Sequence, residues 1–126
     1  MQHAYMAFLV IAEPPDEYRA WTERQQSPAE PPANEEQEAG RTVFMSSACA
    51  QCHTIAGTPA VGRIGPDLTH LASRKTIAAG MLPNTKGHLA GWIIDPQQIK
   101  PGVNMPSSEL AAPDLNALLA FLETLQ

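Results

Sequence analysis

Only two cysteines occur in this chain, Cys49 and Cys52, and a histidine, His53, directly follows the second. That spacing constrains the fold more than any other feature. Residues three apart lie on one side of a single helical turn, so both thiols present themselves in the same direction. A structural zinc takes four ligands, and two thiolates fall short of that. A redox pair would open a helix in a strand–helix–strand context, and no such alternation is visible. A disulfide would leave His53 unexplained. The pattern C-x-x-C-H is instead the attachment pattern of a covalent haem. Two thiols on one turn reach the two vinyl groups as thioethers, and the histidine beneath the ring offers an imidazole nitrogen to iron. The residues therefore predict one covalent haem on Cys49 and Cys52, with His53 as a metal ligand.

A second axial ligand is expected from Met105, in Pro101-Gly102-Val103-Asn104-Met105-Pro106. A loop bounded by prolines holds a thioether with little conformational entropy left to lose. It also precedes the last helix, from which it approaches the face opposite His53. Met81, in Ala79-Gly80-Met81-Leu82-Pro83, is the rival, although a loop thioether often simply fills a gap. Met45 reads as packing or surface on the first helix, and His70 and His88 as surface histidines.

With 126 residues the chain predicts one domain with an appended tail. Aromatic residues are 6% of it, thin material for a core, so a large buried cofactor would complete the packing. The formal charge of −5 argues against nucleic acid as a partner. No stretch approaches the roughly 20 apolar residues of a membrane span. The apolar run Tyr5–Ala12 is too short for one, and lacks the basic start and cleavage site of a secretory signal. Because covalent haem is attached outside the cytoplasm, the chain is expected to be a piece of a longer, exported protein.

Three zones are expected along the chain. Residues 1–12 are rich in strand formers and read as the end of a larger sheet. Residues 13–38 hold a short helix over Glu17–Gln26, capped by Asp16, with Tyr18 and Trp21 on one side, followed by the acidic, proline-rich linker Ser27–Glu38. The compact zone begins near Asn34, where Asn34 and Gln37 form a capping-box pattern. Gly40, Val43 and Phe44 share one helical face there, and that helix should end near Cys49. A helix is predicted over Lys86–Ile94, closed by Asp95-Pro96, and a shorter one over Asp67–Ser73. Leu115, Leu118, Leu119, Leu122 and Leu125 mark a C-terminal amphipathic helix, with Pro113 in its first turn. No strand pair is evident, so the domain is expected to be all-α, with about four helices and glycine- and proline-rich loops around the cofactor.

From about Ala39 to its end the chain resembles class I cytochromes c, giving a domain of 39–126. Gly40 and Phe44 match the helix-crossing positions of that family, and Leu118-Leu119-Ala120-Phe121-Leu122 matches their partner. Gly65-Pro66-Asp67-Leu68 matches the loop whose proline carbonyl accepts from the proximal histidine, which implies that Pro66 orients His53. Arg74 and Trp92 match residues that bond a haem propionate. The stretch Gln2-His3-Ala4-Tyr5-Met6 resembles the last strand of the copper domain in subunit II of haem-copper cytochrome c oxidases. Gly65–Arg74 and Leu82-Pro83-Asn84-Thr85 resemble the cytochrome domain that some bacterial oxidases fuse to that subunit.

This second resemblance implies electron transfer without catalysis of its own, as part of the oxidase. The electron donor would be a cytochrome or a quinol-oxidising complex. The partners would be the copper domain and the other subunits, on the periplasmic or extracytoplasmic face, with the parent tethered to the membrane. The cysteines that bridge the dinuclear copper centre are missing, so His3 and Met6 are expected to be relics and the copper absent. A free-standing soluble cytochrome c is the alternative, with a haem sensor or peroxidase further off.

Overall fold

Gly40 is the pivot of the helical packing. The computed structural model describes residues 8–126. It contains α1 (Pro15–Gln26), α2 (Glu35–Ser46), α3 (Cys49–Cys52), α4 (Lys86–Ile94), α5 (Pro96–Ile99) and α6 (Ala112–Leu122). Helices α2 and α6 cross where Gly40 meets the backbone of Ala117, and a Cβ at Gly40 would overlap the Ala117 carbonyl oxygen and crowd Phe121. Close approach brings Phe44 against Phe121 edge to face, with ring centroids 6.1 Å apart. Leu118, Leu122 and Leu125 join them, with Leu89 and Ile93 from α4 and Ile55 from the loop after α3. The predicted leucine stripe is therefore the core face of α6. Its last member, Leu125, lies beyond the helix yet is fully buried, because the Ala72 N–H donates to its carbonyl at 2.7 Å and folds the chain end inward.

Local signals explain most helix boundaries. The Asn34 side chain accepts from the Gln37 N–H at 2.9 Å and starts α2. The Gln37 side chain reaches back to the Ala33 N–H at 2.7 Å, one residue earlier than in a strict capping box. In the first turn of α2, Arg41 bonds the exposed Glu38, holding its carboxyl below the ordinary range by that hydrogen bond. Helix α4 spans Lys86–Ile94 as predicted, opened by a Thr85 cap on the His88 N–H. Asp95 both ends it and caps the single turn α5, which the sequence reading did not anticipate. Helix α2 stops at Ser46, so the cysteines sit on a separate turn, α3.

Four expectations change. Helix α1 begins at Pro15, because a proline in the first turn is preset for helical φ; Asp16 lies inside that turn and pairs with Arg19 at 3.1 Å rather than capping. Residues 67–73 form turns, not a helix. The Asp67 side chain takes the Thr69 N–H and hydroxyl, competing with helical bonding. A short antiparallel pair exists, β1 (Thr76–Ile77) with β2 (Leu82–Pro83), in register Thr76 with Pro83 and Ile77 with Leu82. Residues 8–14 form neither helix nor strand, and Phe8–Ile11 are exposed; His3 and Met6 lie outside the described residues. Within the segment expected as a linker, the Ala29 N–H donates to the Ala56 carbonyl at 2.9 Å. Among the described residues, no helix is long and apolar enough to cross a membrane.

The turn joining β1 to β2 places Ala78, Ala79 and Gly80 in the left-handed region, with φ of 54°, 58° and 86°. Two alanines there are costly, at about 1–2 kcal/mol each. Ala79→Gly should therefore raise unfolding stability by up to about 1 kcal/mol, part of the relief being lost to the freer unfolded chain. Gly40→Ala should cost roughly 1–3 kcal/mol or more, since helix backbones must separate to admit the methyl group. Thermal unfolding of the two variants checks both signs.

Candidate functional site

A helical turn of four residues, Cys49–Cys52, sets the two sulfurs on one side of the chain. Both thiols are free and half-buried, and the Ser47 hydroxyl donates to Cys49 Sγ at 3.1 Å. His53 leaves this turn in extended conformation, its N–H still bonded to the Cys49 carbonyl at 2.9 Å. Its ring then meets a second loop. His53 Nδ1 lies 2.7 Å from the Pro66 carbonyl oxygen. A carbonyl only accepts, so Nδ1 carries the proton of the neutral ring and Nε2 keeps its lone pair. That nitrogen is the one a metal would take, and the carbonyl fixes both its tautomer and its direction.

The loop that supplies the carbonyl is fastened on both sides of it. Gly65 N–H donates to the Cys52 carbonyl at 2.7 Å, and Leu68 N–H to the Thr54 carbonyl at 2.8 Å. Gly65 has no side chain because none fits: a Cβ there would run into the His53 ring. Gly62, similarly, lies against the backbone of Gln51 and Cys52. Its N–H donates to the His53 carbonyl at 3.2 Å.

The other predicted site residues take these positions. Met105 is half-buried and packs against the main core, as do Cys49, Trp92, Leu68 and Leu82. Its loop is braced by Gln97, whose amide nitrogen donates to the Val103 carbonyl at 2.8 Å and the Met105 carbonyl at 3.2 Å. The Gln97 side-chain oxygen accepts from Gly102 N–H at 2.9 Å. Nothing in the sequence singles Gln97 out. Met81 is also half-buried, at the end of the β1–β2 turn. Arg74 is exposed, and its guanidinium donates to the Asp67 carbonyl, which keeps it beside the Pro66 loop. Asn84 holds that corner by donating to the carbonyls of Leu71 and Arg74, at 2.8 and 3.0 Å. His88 is exposed, and His70 bonds the Gln126 carbonyl at 2.6 Å with its buried Nε2 unpartnered. Cys49, Cys52, His53 and Pro66 thus form one unit, with Arg74 on its margin, while Trp92 and Met105 reach the same core from other elements.

The donor set suits a haem: two reduced thiols on one turn, an imidazole with its distal nitrogen unengaged, and a thioether on a braced loop. Among the described residues, no cluster of three or more His, Cys, Asp or Glu exists that would hold a bare metal ion.

The family model for cytochrome c matches residues 37–126. The chain is also similar to proteins called cytochrome c oxidase subunit 2. It is 38% identical over 125 residues to that of Alkalihalophilus pseudofirmus. The figure is 31% over 130 residues for Bacillus sp. (strain PS3) and 27% over 129 for Bacillus subtilis. Each alignment takes in 98% of this chain and 36% of the relative, so the chain spans about a third of the length of these proteins.

Gly65→Ala should separate the His53 ring from the Pro66 carbonyl at a cost of roughly 1–3 kcal/mol. The imidazole nitrogen resonances of His53 check this, because loss of the hydrogen bond shifts Nδ1.

Proposed function

This chain belongs to the cytochrome c family, and from that premise we propose that it holds one covalent haem and transfers electrons as part of a cytochrome c oxidase subunit II. Cys49 and Cys52 would hold it through thioethers, and His53 Nε2 would bind the iron. Met105 would be the second iron ligand, Pro66 would orient His53, and Arg74 and Trp92 would supply donors to a propionate. A single observation carries this reading: the thiol pair is followed by a histidine whose Nδ1 is held at 2.7 Å by a backbone carbonyl, leaving Nε2 for iron. When bound, the haem supplies a one-electron couple.

The chain's own residues perform the rest. With both His53 and Met105 holding the iron, the site would relay electrons and offer no open position for substrate. Gln97 braces the backbone of the loop that carries Met105. Arg74, anchored on the Asp67 carbonyl, remains next to the His53 loop, where its charge offsets that of a propionate. The electron would come from a cytochrome or a quinol-oxidising complex and pass to the dinuclear copper centre of the parent subunit. Covalent attachment of haem would put the domain on the extracytoplasmic face. The net charge of −5 favours a basic docking partner, with rates that fall as salt rises.

Acidified organic solvent tests the attachment. Colour should stay with the protein and be lost from the Cys49→Ala, Cys52→Ala double variant; full retention by that variant refutes the covalent site. Met105→Ala should abolish the weak red-edge absorption of ferric thioether ligation and lower the reduction potential, because methionine ligation favours ferrous iron. If Met81→Ala produces this change instead, the ligand belongs to the β1–β2 turn.

A further inference from the structure

Thr69 is the one buried polar side chain among the described residues, at 3% exposure. It lies three residues beyond Pro66 and touches neither the thiols nor the imidazole. Its hydroxyl donates to Asp67 Oδ1 at 2.6 Å and accepts from the Ala56 N–H at 2.8 Å. The same Asp67 oxygen accepts the Thr69 N–H at 2.8 Å. Asp67 therefore closes a tight side-chain turn immediately after Pro66, and Thr69 bolts that turn to the strand of chain leaving His53. We propose that Thr69 and Asp67 are positioning residues that aim the Pro66 carbonyl at His53 and so tune the electron-donating strength of the imidazole, an inference that rests on the haem reading above.

Proline leaves few other ways to aim that carbonyl. Its ring fixes φ and it has no N–H to anchor, so the direction of the carbonyl depends on the peptide plane shared with Asp67. Asp67 is exposed. What holds it is Thr69 on one side, and Arg74 bonding its carbonyl on the other. Thr69 in turn sits between Leu68, bonded to the Thr54 carbonyl, and His70 and Ala72, bonded to the carbonyls of Gln126 and Leu125. The segment is thus clamped to the His53 side and to the C-terminal turn. Thr69 is where the clamp reaches Ala56, three residues after His53. A firm bond at Nδ1 makes a ligating imidazole more basic, which favours ferric iron. Loosening it should raise the reduction potential.

The test uses the haem-loaded protein and four variants. Thr69→Val keeps the shape and removes the hydroxyl. Asp67→Ala removes the acceptor at an exposed position, so it decides the matter even if Thr69→Val does not fold. Thr69→Ser retains both bonds. Leu122→Val, in the core of α6, is a control for lost stability alone. Thr69→Val and Asp67→Ala should raise the potential, changing the reduced-to-oxidised ratio at fixed ambient potential by up to about tenfold. They should also shift the His53 ring Nδ1–H resonance of the ferrous protein. Thr69→Ser should restore both values, and Leu122→Val should leave both at wild type. Wild-type potentials in Thr69→Val and Asp67→Ala, with only a lower melting temperature, would overturn the inference and leave the haem reading standing. A wild-type protein without covalent haem would overturn both.

Discussion

Two helices separated by some seventy residues can close on each other at backbone distance only where one lacks a side chain, and Gly40 supplies that place on α2. Everything downstream depends on this crossing. It lets Phe44 and Phe121 meet, and those rings with Leu118 and Leu125 are the largest fully buried side chains of the domain, together with Ile55 and Pro96. With few aromatics to spend on packing, a wider crossing would leave the core without its centre. The crossing also places the C-terminal turn against residues 70–72, and that contact holds the far end of the loop carrying Pro66.

The site is consequently built on loops but not on loose ones. Between Cys52 and Arg74 the chain has no helix, yet backbone and side-chain hydrogen bonds tie it to itself at short intervals. The single bridge between Thr54 and Val61 continues this pattern next to His53. Such a loop keeps its functional atoms in place without a second helix. Glycine is used here for proximity: Gly62 and Gly65 let one strand of the loop lie flat against the backbone and ring of the other.

The amino-terminal part follows a different logic. Helix α1 buries no residue, and its stacked Tyr18 and Trp21 remain exposed. Its stability rests on local devices: a proline start, acidic residues in the first turn and a basic one in the last. Among the described residues ahead of α2, Ala29 bonds the loop after His53, donating to the Ala56 carbonyl. Exposed ion pairs such as Arg41 with Glu38 add little to this balance, because water competes for both partners.

What the sequence by itself determined was whatever short-range physics controls. The Cys49–His53 motif pointed to a haem, the leucine stripe named the core face of α6, and Asn34 and Asp95-Pro96 located helix ends, because caps and helical periodicity act within a turn or two. Pro66 was legible only through resemblance to a family; no local rule links it to a histidine thirteen residues away. The helix expected over 67–73 failed because the Asp67 side chain offered nearer bonds than the helix would. Tertiary structure alone decided that the Pro66 carbonyl meets His53, that Thr69 reaches the Ala56 N–H, and that Leu125 is buried beyond its helix. A hydrogen bond between distant segments has no signature in either one until the packing of a third makes them neighbours.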